Sequence, residues 1–155
     1  MPKLIVAWDH SLQYRDFDFS MTLRSWIDFD VYSQVNMYYG LQNKSQTNVL
    51  KKAYGYYNAV NDEKILCDLF LSDGTFLKID AINVGYTLNA KKYTNLLDKV
   101  RFYLTLRDVA TFTKYKGINP EVNLNGLTPG FERIKDKDTM YPQTIRFTLG
   151  AQITF

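Results

Sequence analysis

The sequence has few of the residues that build disulfides, metal sites or covalent catalytic centres. It contains one cysteine, Cys67, and one histidine, His10, among 155 residues. One cysteine cannot form an intrachain disulfide, and together with one histidine it cannot supply the four ligands of a usual structural zinc site. No nucleophile, base and orienting acid can be assembled around His10, and no glycine-rich phosphate loop is present. The sequence therefore predicts neither an enzyme nor a cofactor.

Long apolar runs and a strong charge imbalance are also missing. No run of about 18 apolar residues occurs, so no transmembrane helix is expected. Lys+Arg number 19 against 16 for Asp+Glu, a balance too even to indicate nucleic-acid binding or a polybasic membrane patch. The first residues stop being apolar before a signal core is complete, and we expect no export signal in the chain as written. Any contact with a membrane would have to be made by β-strands.

The clearest positive signal is a period-two alternation of apolar and polar residues, which is typical of β-strands with two different faces. From Thr144 to Phe155 the odd positions are apolar and the even positions are polar or small. Between Thr75 and Leu88 the apolar positions change parity, which predicts a β-bulge. The predicted strands lie at about 4–14, 17–29, 75–88, 99–112 and 143–155.

The connections between these strands alternate between short and long. The turn at 14–16 is tight and the connection at 89–99 moderate, whereas 30–74 and 113–141 are long and polar; Val31, Val35 and Tyr38 or Tyr39 indicate a short helix in the first long connection. Short turns, long outer loops and amphipathic strands of about 9–11 residues are typical of membrane-spanning β-barrels. The predicted fold class is all-β, with about five antiparallel strands of an up-and-down transmembrane barrel.

The polar face of these strands carries arginine. If the strands form a barrel, the arginines face its lumen, which tolerates charge. If they form an ordinary two-layer sheet, the same side chains face solvent, and alternation alone does not distinguish the two arrangements. Strand length and loop asymmetry favour the barrel. The predicted lumen-facing residues are Arg24, Arg101, Arg107 and Arg146.

Several other features have a functional and a structural interpretation. Trp8, Trp26 and the tyrosines could stack on sugar rings, but we favour an aromatic girdle and loop packing. Cys67 is expected to be a small buried hydrophobe. The charged run 132–138 is interpreted as a solvated loop face. Residues 43–45 fit the N-glycosylation pattern, which we discount because it requires a eukaryotic secretory route. The tyrosines considered are Tyr38, Tyr39, Tyr54, Tyr56 and Tyr57.

Three stretches form a recognisable pattern: TFTKYKGINPE (111–121), YPQTIRFTLG (141–150) and the final TF (154–155). They resemble the carboxy-terminal end of SusC/RagA-type TonB-linked outer-membrane proteins. DGTFLK (73–78) and VGYTL (84–88) are similar to the preceding strand of that family. Asn89, where a proline is expected, and Asp108-Val109, where Asn-Leu is usual, depart from the pattern. The resemblance covers most of the chain.

The resemblance implies a function as well as a fold. It implies a barrel of about 22 strands with an amino-terminal plug, located in the outer membrane of a Gram-negative bacterium. The implied partners are TonB, a SusD-like lipoprotein, the barrel-assembly machinery and an oligosaccharide or peptide substrate, with Phe155 as the assembly signal. Because the plug and most strands would precede Met1, we expect a fragment that is not competent for transport alone.

Two other protein classes remain compatible with the residue pattern. One is a small soluble β-barrel that binds a ligand in its interior, as lipocalins do. The other is a complete small outer-membrane barrel, which needs at least about eight strands.

Overall fold

The computed structural model describes residues 1–42, 48–60, 65–92, 96–134 and 142–155. In these residues, five long strands are accompanied by three short ones and by one helix, α1, at Gln34–Tyr39. Short 3-10 turns occur at Lys51–Tyr54, Asp68–Phe70 and Ala90–Lys92. The strands are β1 (Leu4–Tyr14), β2 (Phe17–Ile27), β3 (Asp30–Ser33), β4 (Leu71–Asp73), β5 (Phe76–Asn89), β6 (Lys99–Thr113), β7 (Phe131–Glu132) and β8 (Arg146–Thr154).

The long strands form one sheet in the order β1-β2-β5-β6-β8. A two-residue turn, Arg15–Asp16, joins β1 to β2. Strands β6 and β8 are antiparallel, with a continuous register from Lys99 opposite Thr154 to Arg107 opposite Arg146. The predicted class of antiparallel sheet is confirmed. Because β1 and β8 lie at opposite edges, the five strands form an open sheet and not a closed barrel.

The strand ends differ from the predicted ones by a few residues. Strand β2 ends at Ile27, two residues before the predicted end, and Asp28 follows it with a φ of 58°. At Asp28 the backbone leaves the extended region of φ and ψ, and the strand ends there. Strand β8 begins at Arg146, whereas the alternation begins at Thr144 and the predicted strand began at about 143.

Strand β5 contains the expected change of parity. Asp80 accepts a hydrogen bond from Arg24 of β2. Asn83 donates a hydrogen bond to Ser20, which also lies in β2. The polar face therefore passes from an even to an odd position of β5 between these two contacts, as one extra residue would cause. Strand β6 has a second irregularity that alternation did not predict, since Asp108 has a φ of 53°.

The chain divides into two compact units. The first, here called the strand unit, comprises Ile5–Ser25, Leu77–Phe112 and Gln143–Phe155. Among the described residues of the strand unit, Ala90 is the only hydrophobic residue that is buried. The strand unit is thus a single layer that has no hydrophobic core of its own, although a sheet normally buries at least one face.

The second unit, here called the loop unit, comprises Met1–Leu4, Trp26–Phe76 and Thr113–Pro142. Strand β3 pairs antiparallel with β4 and parallel with β7, so the two long connections share one small sheet. Helix α1 begins after Ser33, whose side chain accepts a hydrogen bond from the Asn36 amide. Val31, expected on the helix, lies in β3 instead.

The loop unit has a core, which was not predicted. Trp26, Phe29 and Phe76 pack together with centroid distances of 5.4 to 6.5 Å, and a second cluster surrounds Tyr57 and Phe70. Cys67, partly buried, packs against the second cluster. Trp26 is 9% exposed, so the hypothesis that it stacks on a sugar is wrong for this residue.

The predicted position of one charged residue is also wrong. Glu132 is fully buried, so the prediction of a solvated loop face fails at the first residue of the run 132–138. Its carboxylate is bound inside the loop unit because Ser33 and the Ile118 amide donate to it. Residues 135–138, and the glycosylation pattern at 43–45, lie outside the described residues.

Candidate functional site: the polar face of the strand unit

Charged side chains from four strands form a continuous row on one face of the five-stranded sheet. Arg24 of β2 binds Asp80 of β5 through two nitrogens, at 2.7 and 3.2 Å. Lys78 lies 3.4 Å from Asp80 and 2.8 Å from Asp108 of β6. Arg146 of β8 lies 2.6 Å from the other oxygen of Asp108. The row therefore alternates cation and carboxylate across the sheet, with three cations and two carboxylates.

Lys78 lies at the centre of this row and is 3% exposed. An ammonium group removed from water to this degree is stable only when carboxylates or other acceptors replace its hydration. Asp80 and Asp108 supply such acceptors from two neighbouring strands. The row therefore fixes the register of β5 against β6 in addition to carrying charge.

A second ion pair lies on the same face. Arg101 of β6 binds Asp18 of β2, with nitrogen–oxygen distances of 2.5 and 3.1 Å, across the intervening strand β5. The pair passes over Gly85, where a Cβ atom would overlap both the carboxylate and the guanidinium. The guanidinium also lies 5.7 Å from the ring centroid of Tyr103. Glycine at this position thus permits a contact between strands that are not neighbours.

The four arginines predicted on this face have different surroundings. Arg24, Arg101 and Arg146 each bind a carboxylate within the strand unit. Arg107 is exposed, and its Cα is paired with that of Arg146. Phe155, the predicted assembly signal, follows the last residue of β8 and is 79% exposed.

Sequence reasoning missed the partners of these arginines. Asp80 shares its parity with Lys78, a signal that could have placed both on the polar face. Asp108 gave no such signal, because its left-handed backbone changes the alternation of β6 at that residue.

The opposite face of the sheet is apolar and uncovered. The register of β6 and β8 sets Leu104 opposite Leu149 and Leu106 opposite Phe147, so apolar side chains meet on one face. Phe147 and Leu149 are 77% and 78% exposed. Exposed apolar side chains also continue along β1 at Leu4, Val6, Trp8 and Leu12. Contiguous apolar surface of this kind marks contact with a membrane or another protein.

The loop unit has a polar cluster of its own. Glu132 accepts a hydrogen bond from the Ser33 hydroxyl at 2.6 Å and one from the Ile118 amide at 2.7 Å. The Tyr115 hydroxyl is buried beside them without a hydrogen-bond partner among the described residues. Burial, and after it the nearby Glu132 carboxylate, raises the pKa of Tyr115 far above its usual range. The cluster joins the two long connections, because its residues come from both.

The described residues contain neither a helix that could span a membrane nor a metal-binding cluster. No helix there is long and apolar enough to cross a membrane. No group of three or more His, Cys, Asp or Glu side chains there could hold a metal ion.

A sheet with one charged face and one exposed apolar face has the architecture of β-barrel strands that separate lipid from a polar lumen. No family profile matches the chain. Two curated relatives align over nearly its whole length. The TonB-dependent receptor SusC of Bacteroides thetaiotaomicron is 29% identical over 98% of the chain, and the TonB-dependent receptor P3 of Formosa agariphila is 22% identical over 99%. The chain spans 15% and 16% of their respective lengths.

Solved structures agree with the sequence comparison on the fold. The RagAB peptide importer in its open-open state superimposes with a TM-score of 0.72 over all of this chain and 17% of the importer chain, at 16% identity. The RagAB peptide transporter gives a TM-score of 0.73 over 99% of the chain, also at 16% identity. The resemblance to SusC/RagA-type TonB-linked proteins is therefore confirmed, and the fold is that of their barrel strands. These relatives are named as receptors, importers and transporters, not as enzymes.

Proposed function

We propose that this chain forms the carboxy-terminal strands of a TonB-dependent importer in the outer membrane of a Gram-negative bacterium. The observation that supports this most is the single-layer strand unit, whose apolar face is exposed while its other face holds a row of ion pairs around the buried Lys78. In a barrel, lipid covers the apolar face and the charged face lines the lumen. A soluble two-layer sheet would instead need a second layer against the apolar face.

In this proposal the arginines on the polar face line the passage through the barrel. Arg24, Arg101 and Arg146 are held by carboxylates, whereas Arg107 is exposed and available to solutes. The chain does not transport alone, because an open sheet edge in lipid leaves backbone groups without hydrogen bonds, at several kcal/mol each. The two edge strands, β1 and β8, therefore pair with further strands of the same barrel.

The proposal includes the partners of the whole protein. TonB supplies the energy, a SusD-like lipoprotein covers the outer opening, and the substrate is an oligosaccharide or a peptide. The barrel-assembly machinery inserts the protein and reads Phe155 as the assembly signal. The similarity to SusC and to the RagAB peptide importer supports this assignment.

A pair of neighbouring substitutions in β8 tests the orientation of the sheet. Leu149→Arg places a cation on the apolar face near the centre of the strand, where arginine in lipid costs about 2–4 kcal/mol. Thr148→Arg is the matched control, since it adds the same side chain to the polar face. We expect the protein that carries this chain to lose outer-membrane abundance with Leu149→Arg and to keep most of it with Thr148→Arg, as measured by immunoblotting of membrane fractions. Equal abundance of the two variants would contradict the proposed orientation.

A further inference from the structure

The loop unit contains a pocket whose described lining residues all belong to that unit. Its volume is about 490 Å³, which lies within the range of small-molecule sites. Both long connections contribute to its walls. The second contributes Lys114 and Lys116, and the first contributes Asn36, Lys52, Tyr56, Tyr57, Leu69, Leu71, Ser72 and Asp73. The lining is mixed, with apolar leucine and tyrosine beside amide, hydroxyl and charged groups. A pocket of this volume and composition suits a small polar ligand that has one apolar surface.

The charges around the pocket are mainly positive. Of the described residues that line it, Lys52, Lys114 and Lys116 are basic and Asp73 is the only acidic one. Lys114 and Lys116 flank the buried Tyr115 and are themselves exposed. The Thr75 amide and hydroxyl, and after them the charge of Lys114, hold the pKa of Asp73 below its usual range. The lysines therefore outnumber the nearby carboxylate, and the pocket attracts an anion.

Two adjacent tyrosines give the pocket an aromatic wall. Tyr57 is 5% exposed and packs against Phe70, at a centroid distance of 5.9 Å. Tyr56 is 79% exposed and lies edge-on to Tyr57, at 4.9 Å and 83°. The exposed ring of Tyr56 thus rests on a buried neighbour, which limits its motion. An exposed tyrosine offers an apolar face to a ring-shaped ligand and a hydroxyl to its polar groups.

We propose that this pocket is a binding subsite for an anionic saccharide, a sugar ring that carries a carboxylate or a sulfate group. The lysines bind the anionic group, Tyr56 contacts the ring, and Asn36, Ser72 and Asp73 form hydrogen bonds with hydroxyl groups. Asp73 favours a sugar over an acidic peptide, because its carboxylate accepts hydrogen bonds from the hydroxyl groups that a sugar ring carries and an acidic peptide lacks. This inference rests on the proposed function, since it names the class of solute that the importer takes up.

Calorimetric titration of the intact protein that carries this chain, extracted from cells in detergent, tests the subsite. The probes are trigalacturonate as an acidic sugar, maltotriose as a neutral sugar and triglutamate as an acidic peptide. We expect trigalacturonate to bind most tightly at low ionic strength. The double variant Lys114→Gln/Lys116→Gln should weaken its binding about tenfold or more, because two favourable charges are removed. Tyr56→Ala should weaken the binding of trigalacturonate as well.

Lys51→Gln is the matched control, because Lys51 is exposed but does not line the pocket. It should leave the affinity for trigalacturonate unchanged. Tighter binding of maltotriose or triglutamate, or equal affinity of the wild-type protein and the double variant, would overturn the subsite. If trigalacturonate does not bind, but Leu149→Arg lowers outer-membrane abundance and Thr148→Arg does not, the subsite alone is refuted. Loss of the contrast between Leu149→Arg and Thr148→Arg would refute the membrane assignment instead.

Discussion

Asp108→Asn perturbs the row of ion pairs at one of its two carboxylates. Asp108 binds both Lys78, at 2.8 Å, and Arg146, at 2.6 Å, with 18% of its side chain exposed. An asparagine keeps the shape but cannot balance two cations. Breaking a buried ion pair costs about 3–5 kcal/mol, and because Lys78 keeps Asp80 as a partner we expect about 2–3 kcal/mol.

Asp98→Asn provides the matched control for this substitution. Asp98 pairs with Lys91 at 3.0 Å, but the two side chains are 43% and 66% exposed. Exposed pairs contribute about 0–1 kcal/mol. Urea unfolding of the detergent-solubilised protein is followed by tryptophan fluorescence. It gives the free energy of unfolding of each variant, and the two can be compared if the dependence of that free energy on urea concentration is the same in both. An equal or larger loss for Asp98→Asn would refute the stabilising role of the row.

The remaining predictions concern the polar cluster of the loop unit. Glu132→Gln should lower the stability of the loop unit by about 1–3 kcal/mol, because a buried acceptor of two hydrogen bonds is altered. Hydrogen exchange at the Ile118 amide should accelerate in this variant. Unchanged exchange would contradict the stabilising role of the Glu132 carboxylate. Tyr115→Phe should change stability at pH 8 by less than about 0.5 kcal/mol, since the hydroxyl has no hydrogen-bond partner among the described residues. The pKa of Tyr115 is higher in the folded state than in the unfolded state. The protonated hydroxyl therefore contributes fully to folding stability below the unfolded-state pKa of about 10, and this contribution is lost as the pH rises above that value. Unfolding at pH 8 and pH 11 should therefore show a smaller alkaline loss in Tyr115→Phe than in the wild-type protein, and equal losses would contradict the buried environment.

The long strands could be predicted because their signal is local. Alternation along β8 and β6 requires only the neighbouring residues, and the two faces follow directly from it. The parity change in β5 was also visible in the sequence, since the extra residue shifts every later side chain to the opposite face. The resemblance to SusC/RagA-type proteins rested on short motifs that lie in or beside these strands.

The loop unit could not be predicted because its contacts are not local. Tyr32 and Phe131 pair in the parallel ladder although about a hundred residues separate them in sequence. Glu132 appears in the sequence as the start of a charged loop, yet Ser33 and the Ile118 amide bind it in the interior. Burial of such a carboxylate depends on donors that only the folded chain brings together.

Accessibility measurements along β8 test most directly whether the sheet separates lipid from an aqueous lumen. Single cysteines replace residues 146–154 in a Cys67→Ala background and carry spin labels, and the protein that contains this chain is reconstituted in lipid bilayers. Oxygen, which partitions into lipid, should reach labels at 147, 149, 151 and 153, whereas a water-soluble nickel chelate should reach the even positions. Equal access of both reagents to the two sets, or loss of the period of two, would contradict the account.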